Sequence, residues 1–144
     1  MGRTHEVRVR RRFDAPLRRV FGAWSDAEQL ARWAWGSIGR STRAEVDLKV
    51  GGSLRVETRR PDGATWSFSG TYTEVVPGSR IVHTLEWQAP MGYPASPERL
   101  AAEFARGGGC CTVELIHTKV PDAKSAGVHR WIDVLKTLAA QVER

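Results

Sequence analysis

SAGVHRWIDVLKTLAAQVE, residues 125–143, closes the chain and decides how the rest of it is read. Val128, Trp131, Ile132, Leu135, Leu138, Ala139 and Val142 fall at i, i+3, i+4, i+7, i+10, i+11 and i+14, a single apolar stripe at a helical period. A helix with so wide an apolar face must bury it. Almost everything upstream alternates like β-strand, so the partner is a sheet. A curved sheet gripping a terminal helix leaves space between the two, and that space is where a small molecule would sit.

Working outward, residues 64–76, ATWSFSGTYTEVV, place Trp66, Phe68, Gly70 and Tyr72 on one face and Ser67, Ser69, Thr71 and Thr73 on the other. Arg80–Trp87 sets Ile81, His83, Leu85 and Trp87 opposite Val82, Thr84 and Glu86. Strands are also expected at His5–Phe13, Glu45–Val50, Leu54–Arg59 and Cys110–His117, with Val113, Leu115 and His117 sharing a side. Turns at Pro61-Asp62-Gly63 and Pro77-Gly78 are short, so the neighbours they join run antiparallel. Asp14-Ala-Pro16 opens a helix carrying Leu17, Val20, Phe21 and Trp24, with Asp14 placed to cap it, and Ser25-Asp26 starts a second short helix. Residues 88–109 break the strand rhythm. They are expected to form a lid or embellishment with a helical turn at Pro97–Phe104 and a slack Gly107-Gly108-Gly109 loop. The expected order is β-α-α-β-β-β-β-β-α, an α+β fold in one domain, residues 1–144.

At 144 residues, with 41% hydrophobic and 26% charged side chains, the chain is of ordinary globular composition, which argues against disorder. No apolar run approaches the roughly 18 residues of a membrane span. The start alternates apolar and basic residues instead of showing a signal sequence, so a cytoplasmic location is expected. A net charge of +6 raises the question of nucleic acid. Arg8, Arg10 and Arg12 alternate with Val7, Val9 and Phe13, however, as on a strand with one wet face, and no recognition helix or finger accompanies them, so no specific nucleic-acid partner is expected. The two cysteines, Cys110 and Cys111, are adjacent; neighbours on a strand point to opposite faces, so one buried and one outward-facing reduced thiol is the expectation. Neither a metal site nor a cofactor is indicated by ligand spacing.

The candidate binding residues follow from strand parity and the helix stripe. Val56, Trp66, Phe68, Tyr72, His83, Leu85, Trp87, Leu115, His117, Trp131 and Leu135 would line the space between sheet and helix, with Trp33 and Trp35 near its mouth. An aromatic lining suits a hydrophobic or aromatic ligand. His83 and His117, with Tyr72 beside them, are the candidate acid–base groups, although spacing places no carboxylate to orient either ring.

Four stretches in this order carry a resemblance: FDAPLRRVFGAWSDAEQLARWAWG at 13–36, VDLKVGGSLRV at 46–56, GTYTEVVPGSRIVHTLEW at 70–87 and HTKVPDAKSAGVHRWIDVLKTLAA at 117–140. They resemble the helix-grip superfamily of START lipid carriers, birch-pollen-allergen-like proteins and polyketide cyclases, and within it the family related to the C-terminal domain of the heat-shock protein 90 ATPase activator. The chain departs from that pattern at Arg130, where the family usually has glycine, and at Cys111, where it often has threonine. The resemblance implies a curved antiparallel sheet around a long C-terminal helix and a small hydrophobic or aromatic ligand between them. An enzyme of polyketide cyclase or hydrolase type in the same cavity is the alternative, and a chaperone cofactor or protein-binding module the second. A homodimer through an open sheet edge is compatible with either.

Overall fold

The computed structural model describes residues 4–35, 41–87, 98–121 and 125–143, with side chains described at 6–35, 43–86, 98–118 and 131–143. Among the described residues, seven strands and three helices follow the order β1 (Thr4–Phe13), α1 (Leu17–Ser25), α2 (Ala27–Trp33), β2 (Ser41–Val46), β3 (Ser53–Arg59), β4 (Thr65–Val76), β5 (Arg80–Trp87), β6 (Glu98–Gly107), β7 (Cys110–Pro121) and α3 (Ser125–Val142). The strands form one antiparallel sheet in the order β1-β7-β6-β5-β4-β3-β2, so the first two strands of the chain are its two edges. This is the helix-grip architecture: the sheet curves around α3, while α1 and α2 join one edge strand to the other.

The expected lid is largely a strand. ERLAAEFARG at 98–107 is rich in helix formers, yet it pairs with β5 on one side and β7 on the other. Two full ladders of backbone hydrogen bonds and the burial of Leu100, Ala102 and Phe104 outweigh local propensity. The glycine run is a tight hairpin turn. Gly107 pairs with Cys110, and Gly108 and Gly109 between them have φ of +48° and +81°, as a two-residue turn with both central residues left-handed requires. Residues 88–97 lie outside the described residues.

Smaller corrections have local causes. Asp14 does not cap α1: Pro16 occupies that position without a side-chain bond, and the Asp14 N–H instead donates to Glu143 Oε2 at 2.9 Å. Asp26 does cap α2, accepting from the Gln29 N–H at 3.1 Å. β2 ends at Val46, because the chain turns at 47–52 rather than after Val50. Cys110 is not outward and open. It is buried, with Arg12 Nη2 donating to its Sγ at 3.0 Å. Cys111 is buried too, which pushes its thiol pKa up, and both cysteines are free.

The α3 stripe is rotated slightly from the expected one. Val134, Leu135, Leu138, Ala139 and Val142 are buried and Trp131 is half-buried, whereas Ile132 is 47% exposed. Positions 131, 134, 135, 138, 139 and 142 form the narrower seam that the concave face accepts. The Val128 side chain lies outside the described residues. At its far end, α3 is tied to the other helices: Arg19 Nη1 donates to the Val142 carbonyl at 3.0 Å, and Gln141 Nε2 to that of Gln29 at 3.2 Å.

Candidate functional site

Tyr72, His83, Leu100 and His117 stand in one row across four neighbouring strands. Register pairs Tyr72 with His83, His83 with Leu100 and Leu100 with His117. All four are buried on the concave face. The sequence supplies two devices that fix this row. At the β3 end, the Gly51 N–H donates to the Tyr72 carbonyl at 2.8 Å and the Tyr72 N–H to the Gly52 carbonyl at 2.9 Å, so the turn after β2 pins Tyr72 from outside the sheet. A Cβ on Gly52 would lie 2.0 Å from the Asp47 carbonyl oxygen, so only glycine closes that turn. At the β5 end the ladder is irregular between Tyr72 and Glu74, and the Thr71 N–H takes the Thr84 hydroxyl at 2.9 Å. Gly70 approaches the Thr84 carbonyl so closely that a Cβ would lie 1.9 Å from it.

That carbonyl sets the state of His83. Nδ1 lies 2.7 Å from the Thr84 oxygen, and a carbonyl only accepts, so Nδ1 carries the proton and Nε2 presents a lone pair. Burial pushes the ring's pKa from 6.5 down to about 4, opposed by the Thr84 bond and reinforced by the nearby His117 ring. His83 is therefore neutral at physiological pH. The Tyr72 ring meets it edge-on with centroids 5.7 Å apart. Burial, helped by the negative charge of Asp47, raises the Tyr72 hydroxyl pKa above its ordinary 10, so the group stays a donor.

His117 is held differently. The indole Nε1 of Trp131 donates to its Nδ1 at 3.1 Å, and an indole can only donate. The imidazole proton therefore sits on Nε2, which donates to Glu98 Oε1 at 2.7 Å, both side chains being buried. Glu98 is the orienting carboxylate that sequence reading missed. Once β6 is taken for a helical turn, its parity with Leu100 disappears.

Between the sheet and the helices lies a partly open cavity of about 40 Å³. Its walls are Trp24 from α1, Leu30 and Trp33 from α2 with the following Ala34, Leu54, Phe68, Tyr72, His83 and Leu100 from the sheet, and Trp131 from α3. Of the expected site residues, the structure thus brings together Trp33, Phe68, Tyr72, His83 and Trp131. His117 sits one hydrogen bond behind Trp131. Val56, Leu85, Leu115 and Leu135 are fully buried core and do not line this cavity. Trp35 is buried rather than at a mouth. It packs on Phe68 at 5.3 Å and on Trp66 at 6.4 Å between centroids, and Arg60 covers the Trp66 ring at 4.2 Å. The Trp87 side chain lies outside the described residues.

Trp24, Leu30, Ala34, Leu54 and Leu100 were missed as lining. Leu54 was available from its shared parity with Val56, but the helix residues depend on how α1 and α2 cross the sheet. Trp24 and Trp33 meet edge-on with centroids 4.5 Å apart, and the Trp33 indole donates to the Ala23 carbonyl at 3.0 Å, which fixes that wall. No group of three or more metal-ligating side chains converges among the described residues, and no described helix is long and apolar enough to cross a membrane.

Residues 14–143 match the family described as Activator of Hsp90 ATPase homolog 1-like protein. Among solved structures, a protein of Chromobacterium violaceum is similar over 96% of this chain and 97% of its own, with a TM-score of 0.86 and 29% identity. An AHSA1-like protein from Aeromonas hydrophila, solved in solution, matches over 96% of this chain and 92% of its own at a TM-score of 0.79 and 23% identity. A protein of Rhodobacter sphaeroides matches over 99% and 98%, with a TM-score of 0.83 at 15% identity. No curated protein matches the chain.

Proposed function

The chain belongs to the Activator of Hsp90 ATPase homolog 1-like family, and from that membership we propose that it is a binding protein that takes a small hydrophobic or aromatic molecule, or the end of a larger one, between the sheet and α3. The observation that carries this reading is the cavity itself, an apolar-walled, partly open space into which two strands bring Tyr72 and His83. Its size limits the guest. A cavity of roughly 150 Å³ accepts benzene, so about 40 Å³ admits only a few atoms and leaves the rest of a ligand toward the open side.

The state of the two histidines supports binding over acid–base catalysis. His83 is neutral at physiological pH, with a pKa near 4, too low for efficient proton transfer at neutrality. His117 has both ring nitrogens committed, to Trp131 and to Glu98. A role as a protein-binding module has less support: the exposed large apolar residues among those described, Val50, Val76 and Ile132, stand on three different parts of the chain.

Because Trp24, Trp33 and Trp131 form the walls, a guest should change tryptophan fluorescence and raise the unfolding temperature. Screening small hydrophobic compounds by both readouts against the wild type and a Leu100→Phe variant, which fills the space, tests the proposal. Hits that bind the wild type and lose both signals in the variant support it. A library without hits, or hits unaffected by the variant, would overturn it.

A further inference from the structure

Two polar atoms at the cavity have no hydrogen-bond partner among the described residues. Tyr72 is 2% exposed and His83 5%; the His83 Nδ1 is spent on Thr84, and neither the Tyr72 hydroxyl nor His83 Nε2 reaches another group of the described residues. Neither atom is sealed in the packed interior; both residues line the cavity, so water or a guest there is what can pair with them. The two are chemically complementary: the hydroxyl donates, Nε2 accepts, and the rings are 5.7 Å apart on paired strands. The other described lining side chains are hydrocarbon apart from indole nitrogens, two of which are already donating to Ala23 and His117. No lining residue among those described carries a formal charge.

We propose that this pair makes the cavity a receptor for a neutral hydroxyl group at the end of an apolar ligand, the hydroxyl oxygen accepting from Tyr72 and its proton going to His83 Nε2. The proposal rests on the binding reading above and narrows it to an alcohol or phenol. Carboxylates are disfavoured because no cation among the described lining residues faces the cavity and the lone pair of Nε2 would oppose them. Ammonium groups are disfavoured because no carboxylate is among the described lining residues. A space of about 40 Å³ matches one hydroxyl and the carbons next to it.

Four probes of one chain length separate the cases: 1-hexanol, hexyl methyl ether, hexanoate and hexylammonium, titrated by tryptophan fluorescence at pH 7.5. The alcohol should bind about five- to tenfold more tightly than the ether, which can accept from Tyr72 but cannot donate to His83. Both ions should bind more weakly than the ether. Tyr72→Phe should weaken the alcohol and the ether together, whereas His83→Phe should weaken the alcohol alone, to the level of the ether. If the His83 variant fails to fold, the alcohol-to-ether ratio on the unmodified protein decides. Equal binding of alcohol and ether, or tightest binding by an ion, would overturn the hydroxyl assignment and leave the cavity reading standing. Absence of binding by all four, together with failure of the wider screen, would remove both.

Discussion

The concave face has two ends that differ in chemistry. Around the C-terminal half of α3, Phe13, Val20, Val113, Leu138 and Val142 are sealed from solvent, and no polar side chain is needed among them. Around the N-terminal half, the same face carries Tyr72, His83, Glu98 and His117, and it retains a cavity. The two ends share one sheet and one helix but draw on different parts of them: β1, β7 and α1 supply the packed end, and β4, β5, β6 and β7 the polar one. The packed end supplies cohesion. The polar end spends some of it: Glu98 and His117 are paired with each other and His83 with the Thr84 carbonyl, while the Tyr72 hydroxyl and His83 Nε2 are left to the cavity.

The sharpest way to break this contrast is to truncate matched leucines at the two ends. Leu138 is fully buried in the packed end, and Leu138→Ala leaves a new void that its neighbours cannot fill, at a cost of about 4 kcal/mol. Leu54 already borders the cavity, so Leu54→Ala removes fewer contacts and enlarges an existing space, at about 2 kcal/mol. Urea unfolding of both variants measures the difference. Equal losses would mean that the two ends are packed alike.

Next in size is the buried pair that holds Trp131. Glu98→Ala takes away the acceptor of His117 Nε2–H and leaves that donor in the interior, which should destabilise the fold by about 3 kcal/mol. Glu98→Gln keeps an acceptor oxygen at the same place and should cost much less. The Trp131 emission spectrum gives a second readout, since its indole leans on the same imidazole through a 3.1 Å bond. A Glu98→Ala protein as stable as the wild type would show that the network contributes no cohesion.

The two ends also differ in how much of them the sequence discloses. The packed end follows from periodicity: the α3 stripe and the alternation of β1 and β7 name most of its members, with an error of register at Ile132 and Val134. The row at the polar end was legible in part, because strand parity alone turns Tyr72, His83 and His117 inward. What stayed hidden depends on contacts distant in sequence. The helix-forming composition of 98–107 masks a strand that exists only because two neighbours pair with it, and Glu98 was lost with it. The tautomer of each histidine is decided by a carbonyl on one side and an indole on the other, which no local pattern announces. Nor does the sequence give a cavity volume, which is the small remainder after large side chains have been fitted together.

The smallest effect expected belongs to His83, and pH exposes it. Its ring has a pKa of about 4 in the folded protein against an ordinary 6.5, chiefly because burial disfavours the charged form. Between those values the unfolded chain binds a proton that the folded protein refuses, so stability is fully present above pH 6.5 and declines as the pH falls toward 4. At pH 5 the loss from this group comes to about 2 kcal/mol relative to neutral pH. Other carboxylates and histidines titrate nearby, so the informative quantity is the difference between wild type and His83→Phe, measured by chemical unfolding at pH 7.5 and at pH 5. The wild type should lose about 2 kcal/mol more than the variant over that interval. Parallel curves would mean that His83 accepts its proton without leaving the fold. The polar end would then be open to water, and its contrast with the packed end would lie in solvent access instead of hydrogen bonding.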